Sequence, residues 1–172
     1  MRYISIGKDC HSVDILNRIY GRSETLLFDY MGTYDLSKLF DFICSKFEGI
    51  YDIQEFDDWM GKCHPVLLAG FMQSRYLYLS DKYNEELRKK ALLSLYRRVE
   101  RTAILFKEGN IVLVRNSTKE KYREERSIFQ EGISRCREVW GSNIEGRLVC
   151  LNIRGSRRVD WLDRWKKALE LS

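Results

Sequence analysis

Proline and histidine are almost missing from this chain, which holds one of the former and two of the latter in 172 residues. With Pro65 alone and no Ser/Gly-rich tract, nothing marks a linker, and residues 1–172 read as a single domain. Only His11 and His64 could supply an imidazole for proton transfer. The five cysteines, Cys10, Cys44, Cys63, Cys136 and Cys150, are odd in number, scattered and without a C-x-x-C pair, which argues against a disulfide framework or a zinc site. No stretch approaches the roughly 20 apolar residues of a membrane span, and no basic start leads into a long apolar run, so neither a transmembrane helix nor a signal peptide is expected. A cytoplasmic location is the expectation that follows. P-loop, G-x-G-x-x-G and H-E-x-x-H motifs are absent. Asp9, Asp14 and Asp29 lack partners at metal-ligand spacing, so no metal and no cofactor is expected.

What is present suits a globular enzyme or binding domain. Apolar residues make up 44% and aromatics 13%, enough for a sizeable core. The net charge of +5 is uneven: the chain is acidic up to about Trp59, and basic over 88–101, 119–126 and 154–158. In the first two basic stretches glutamates interleave at helical spacing, as on a solvated helix face. No nucleic-acid recognition module is visible, so such a partner is not expected.

Strand and helix signals alternate along the chain. Tyr3 to Ile6 reads as a buried strand, and Ser12 to Tyr20 as a helix stopped by Gly21. Thr25 to Tyr30 reads as a short extended segment. Asp35 opens a helix whose apolar stripe runs from Leu36 to Phe47. Residues 48–73 are irregular. Tyr76 to Leu79 reads as a strand, 84–108 as a long helix ending at Gly109, and Ile111 to Val114 as the clearest strand. A helix over 121–140, a strand over 147–153 and a closing helix over 159–171 complete the order. Repeated strand-to-helix units argue for an α/β sandwich of three layers, with a mainly parallel sheet of four to five strands flanked by helices.

In such sheets, ligands bind beyond the carboxyl ends of the strands. Here those ends carry Gly7 to Cys10, then Ser80 and Asp81, then Arg115 to Ser117, then Arg154 to Arg158. Cys10 stands where a glycine turn delivers the chain into a helix, and unpaired N–H groups at a helix start favour a thiolate. Set against this, a free cysteine is more often a small buried hydrophobe. His11 follows Cys10 directly, and neighbours on a helix point roughly 100° apart, so it is poorly placed to take the thiol proton. His64 could fold over the site as a base or be simply solvated. Asp29, between Phe28 and Tyr30, reads as a partly buried carboxylate that either binds the loop carrying Cys10 or is structural.

The run SIGKDCHSVDILNRIYGRSETLLFDYM resembles the opening of a family catalogued as papain-like cysteine peptidases, a domain of unknown function. Its members begin with a strand, then Ser-x-Gly-x-x-Cys, a helix, and a Pro-Phe-Asp-Trp motif. Ser5, Gly7 and Cys10 match the first motif. Phe28 and Asp29 match the core of the second, with Leu27 and Tyr30 replacing its proline and tryptophan. Tyr96 to Arg101 and the strand IVLVR resemble later features, so the likeness spans 3–115. It implies Cys10 as a nucleophile. Family members carry a His-Asp pair after the middle strand, where this chain has Ser80 and Asp81.

A second likeness is to SGNH-type serine hydrolases, which place Gly-Asp-Ser after the first strand, an oxyanion-hole asparagine after a later one, and D-x-x-H near the C-terminus. Gly7-Lys8-Asp9-Cys10, Asn116 and Asp160-Trp161-Leu162-Asp163 occupy these places, with aspartate where histidine should be. A carboxylate is a far weaker base than imidazole, but a thiol needs less activation than a hydroxyl. The expectation is a cysteine-dependent hydrolase with Cys10, His64, Asn116 and Asp81 in catalytic roles, acting on a small-molecule or peptide substrate. Ser5, Gly7, Asp29 and Arg115 are expected to bind the ligand. The alternative is a non-catalytic module recognising an anionic ligand or a protein partner.

Overall fold

The computed structural model describes residues 1–7, 11–22, 24–29, 33, 35–52, 85–141, 143–150 and 158–171. The elements are β1 (Arg2–Ser5), α1 (His11–Tyr20), α2 (Leu36–Cys44), a 3₁₀ turn at Ile50–Asp52, α3 (Glu85–Glu108), β2 (Ile111–Ser117), α4 (Tyr122–Trp140), β3 (Ile144–Cys150) and α5 (Arg158–Leu171). The three described strands form a parallel sheet in the order β1-β2-β3. Ser5 lies level with Val114, and Ser117 with Cys150. The protein is therefore α/β with a parallel sheet. The strand expected over Tyr76–Leu79 lies outside the described residues.

Strand alternation divides the core between the two faces of the sheet. Ile4, Ile6, Ile111, Leu113, Ile144 and Leu148 face α2, α3 and α4 in the larger cluster. Val112, Val114 and Val149 face α1 and α5, where Trp165 is fully buried. Because β2 is covered on both faces, its sequence is a continuous apolar run rather than an alternating one. The helix ends follow their chemistry. Asp35 caps α2 by accepting from the Lys38 N–H at 3.0 Å, and Gly141 closes α4 at a φ of 61°.

Three expectations need correction. The helix expected to reach Phe47 stops at Cys44, because Lys46 and Phe47 take left-handed backbone with φ of 57° and 66°. That conformation is costly for residues with a Cβ. It is offset by turning the Phe47 ring into the core against Phe28, Phe42, Phe106 and Trp140, a burial worth about 2–3 kcal/mol. Within the segment expected to be extended over 25–30, Leu27 to Asp29 instead forms a turn, with the Asp29 N–H donating to the Leu26 carbonyl at 3.2 Å. The third strand begins at Ile144 rather than Arg147. Gly146 allows this start, since a Cβ there would lie 2.5 Å from the Phe129 ring and 2.6 Å from Ile133.

Candidate functional site

The connections leaving β1 and β2 go to opposite faces of the sheet. α1 packs with α5 on one side, and α4 packs with α2 and α3 on the other. A crevice opens between two adjacent parallel strands where their exits diverge in this way. Register places Gly7, two residues beyond Ser5, level with Asn116, two beyond Val114. The Ile6 N–H donates to the Val114 carbonyl at 2.8 Å, so the pairing continues one residue beyond β1, up to Gly7.

On the α1 side, small polar groups are fitted tightly. The Ser5 and Ser12 hydroxyls share a 2.6 Å hydrogen bond that ties the first turn of α1 to the end of β1, and both residues are fully buried. The Gly7 N–H donates to Ser5 Oγ at 3.3 Å. A Cβ at Gly7 would fall 2.2 Å from Ser12 Oγ and 2.7 Å from Asn116 Oδ1, so only glycine fits there. Asn116 is the one residue of β2 that is not buried. Its amide oxygen lies beside Gly7, at the end of an otherwise buried strand.

On the opposite side stands Arg115, expected to present its charge to a ligand. It does not. Parity with Ile111 and Leu113 turns its fully buried side chain into the core. Arg115 Nη1 donates to the Ile6 carbonyl and the Thr33 carbonyl at 3.0 Å, and to Thr33 Oγ1 at 3.1 Å. Nη2 donates to Glu125 Oε1 at 3.2 Å. Thr33 Oγ1 in turn donates to the Gly7 carbonyl at 2.7 Å. One guanidinium therefore joins the end of β1, the segment ahead of α2 and the first turn of α4, fixing the carbonyls that precede Lys8.

Asp29 is likewise structural in its contacts. Its Oδ2 accepts from Arg22 Nη2 and from the Leu26 N–H, both at 2.7 Å, while Oδ1 is buried and has no hydrogen-bond partner among the described residues. Burial outweighs the Arg22 charge and these hydrogen bonds, and pushes the carboxyl above its usual range. Arg98 Nη1 reaches the Asp29 carbonyl at 3.4 Å, and Thr102 Oγ1 accepts from the Leu27 N–H at 2.9 Å, so α3 holds this turn from behind.

Of the residues expected at the site, the structure brings together Ser5, Gly7, Arg115 and Asn116. Asp29 sits in a separate turn. Cys10, His64 and Asp81 lie outside the described residues, and α1 begins at His11. Ser12, Thr33 and Glu125 were not anticipated. Ser12 carried a signal, a hydroxyl in the first turn of the helix after the glycine turn, whereas Thr33 and Glu125 depend on tertiary contacts.

Clefts elsewhere on the described surface include the following two. One of about 380 Å³ lies at the amino end of β1, lined by Arg2, Tyr3, Tyr20 and Arg22, at the opposite end of that strand from Gly7. Another of about 380 Å³ opens between the starts of α2 and α4, beside Asp35, Lys121 and Glu125. Among the described residues no group of three or more His, Cys, Asp or Glu could hold a metal, and no helix is long and apolar enough to cross a membrane. The chain matches no protein-family model, and comparison with curated proteins and with solved structures finds no match.

Proposed function

We propose that the chain is a cysteine-dependent hydrolase in which Cys10 is the nucleophile. The observation that supports this most is the close fit at the adjoining ends of β1 and β2, where a Cβ on Gly7 would meet Ser12 and Asn116, and where Asn116 alone breaks the burial of its strand. Cys10 follows that glycine by three residues and directly precedes α1 in sequence. Both family likenesses put a nucleophile at this place. In this reading His64 takes the Cys10 proton, the thiolate attacks a substrate carbonyl carbon, a C–S bond forms, and the carbonyl electron pair moves to oxygen. That oxyanion accepts hydrogen bonds from the Asn116 amide and from N–H groups at the start of α1. Collapse expels the leaving group with a proton from His64, oriented by Asp81, and water then releases the acyl group from sulfur. Ser5, Thr33 and Arg115 position the loop, and Asp29 stiffens the turn after α1. The same reading includes a three-layer sandwich with a mainly parallel sheet of about four to five strands, the segment Tyr76–Leu79 supplying a strand beyond those described.

The test is to mix the chain with p-nitrophenyl acetate and look for an acetyl group by intact mass and peptide mapping. A burst of nitrophenolate with the adduct on Cys10, abolished in Cys10→Ala and weakened in Asn116→Ala, is the expected result. Absence of the adduct from Cys10, with a small anion raising Tm equally in wild type and Cys10→Ala, would favour the non-catalytic binding module.

A further inference from the structure

Cys44 and Cys136 take no part in the proposed reaction, yet they face each other across the α2–α4 contact. These helices approach closely because Gly132 has no side chain: a Cβ there would lie 2.2 Å from the Phe40 ring. Four residues further along each helix, Cys44 follows Phe40 and Cys136 follows Gly132, and their sulfurs are 3.9 Å apart. Neighbouring contacts hold the pair in place. Arg135 Nη2 meets Asp41 Oδ1 at 2.7 Å, and Trp140 Nε1 donates to the Ile43 carbonyl at 3.2 Å. Cys136 is buried, while Cys44 is partly exposed and is the last residue of α2, just before the backbone turns left-handed. A disulfide needs the sulfurs about 2.05 Å apart. The end of a helix is where a shift of nearly 2 Å is most easily accommodated.

We propose that Cys44 and Cys136 form a redox modification site, a dithiol that a low-molecular-weight disulfide of the glutathione class converts to an intramolecular disulfide stapling α2 to α4. The Cys44 thiolate, the accessible one, attacks glutathione disulfide, forming a mixed disulfide and releasing one glutathione thiolate. The Cys136 thiolate then attacks the Cys44 sulfur and displaces the second glutathione. Two thiols are oxidised, one glutathione disulfide is reduced to two glutathiones, and the two protons given up by Cys44 and Cys136 end on the two departing glutathione thiolates. Burial pushes both thiols above the ordinary cysteine range, against the nearby Arg135 charge, so the exchange quickens as pH rises above neutrality.

The experiment incubates the full reduced chain with glutathione disulfide at pH 8.5, blocks the remaining thiols, and maps peptides with and without reductant. The expected product is a reductant-sensitive link between the Cys44 and Cys136 peptides. Because the bridged residues are 92 apart in sequence, Tm should rise on the order of 10 °C. Cys44→Ser and Cys136→Ala should each abolish both the link and the rise. If Cys136→Ala fails to fold, Cys44→Ser, altered at the partly exposed end, still provides the control. A lasting glutathione adduct on Cys44, unlinked peptides, or a link without a rise in Tm would overturn the proposal.

Discussion

Removing the guanidinium of Arg115 tests the scaffold beneath the crevice. Arg115→Met keeps much of the aliphatic stem and deletes the charge. The Arg115 side chain is 0% exposed and that of Glu125 only 10%, so the substitution strands a carboxylate with little access to water. It also takes the donor from the Ile6 and Thr33 carbonyls. Breaking one side of a buried ion pair costs about 3–5 kcal/mol, a large share of the roughly 5–15 kcal/mol that holds a domain together. Glu125→Leu should cost about 2–4 kcal/mol for the mirror-image reason. The double variant removes both charges, and should be more stable than the sum of the singles implies by about 2 kcal/mol. Urea unfolding of the four proteins, with m held constant, gives the cycle. A cost below about 1 kcal/mol for Arg115→Met, or additivity within about 0.5 kcal/mol, would refute the bridging role.

Other outcomes follow from the same contacts. Gly7→Ala drives a methyl into Ser12 and Asn116, and should destabilise by about 1–3 kcal/mol in urea while removing acylation of Cys10; a neutral effect on both would show that the crevice is looser than described. Gly132→Ala pushes α4 off the Phe40 ring, and should likewise cost about 1–3 kcal/mol and suppress the Cys44–Cys136 link, read by unfolding and by peptide mapping. Asp29 binds its proton more tightly folded than unfolded, so its contribution to stability is greatest below about pH 4 and falls as pH rises through its raised value. Stability curves from pH 3 to 8 should show this fall in the wild type and lack it in Asp29→Asn, and parallel curves would contradict it.

Hydrophobic periodicity made most of the elements legible, and its failures have local causes. The run Ile111 to Val114 announced β2, but the strand continues through Arg115, Asn116 and Ser117, polar residues that pair as strand while two of them are buried. Hydropathy cannot see a buried arginine whose partners lie elsewhere in the chain. Phe47 fits the apolar stripe of α2 and is buried as expected, yet it arrives through a left-handed turn that non-glycine residues do not advertise. The first residues of β3 include Glu145, Gly146 and Arg147, and only the packing of Phe129 and Ile133 over Gly146 explains them. Around the carboxyl ends of the strands, Ser5 was singled out by the Ser-x-Gly-x-x-Cys motif, and Gly7 and Asn116 by the rule that parallel sheets bind ligands there, and the structure sets these three side by side. Arg115 was misread for the same reason. Its parity with Ile111 and Leu113, visible in the sequence, already put it on the face opposite Val112, Val114 and Asn116.

The most direct measurement is the pH dependence of iodoacetamide labelling, followed cysteine by cysteine with peptide mass spectrometry. Cys136 is buried, and desolvation raises the thiols of Cys44 and of the exposed Cys150 above their ordinary range, so these provide slow internal references. An activated nucleophile requires Cys10 to label first, with an apparent pKa below about 7.5. Labelling of Cys10 no faster than that of Cys150 across the whole pH range would contradict a thiolate held at the start of α1.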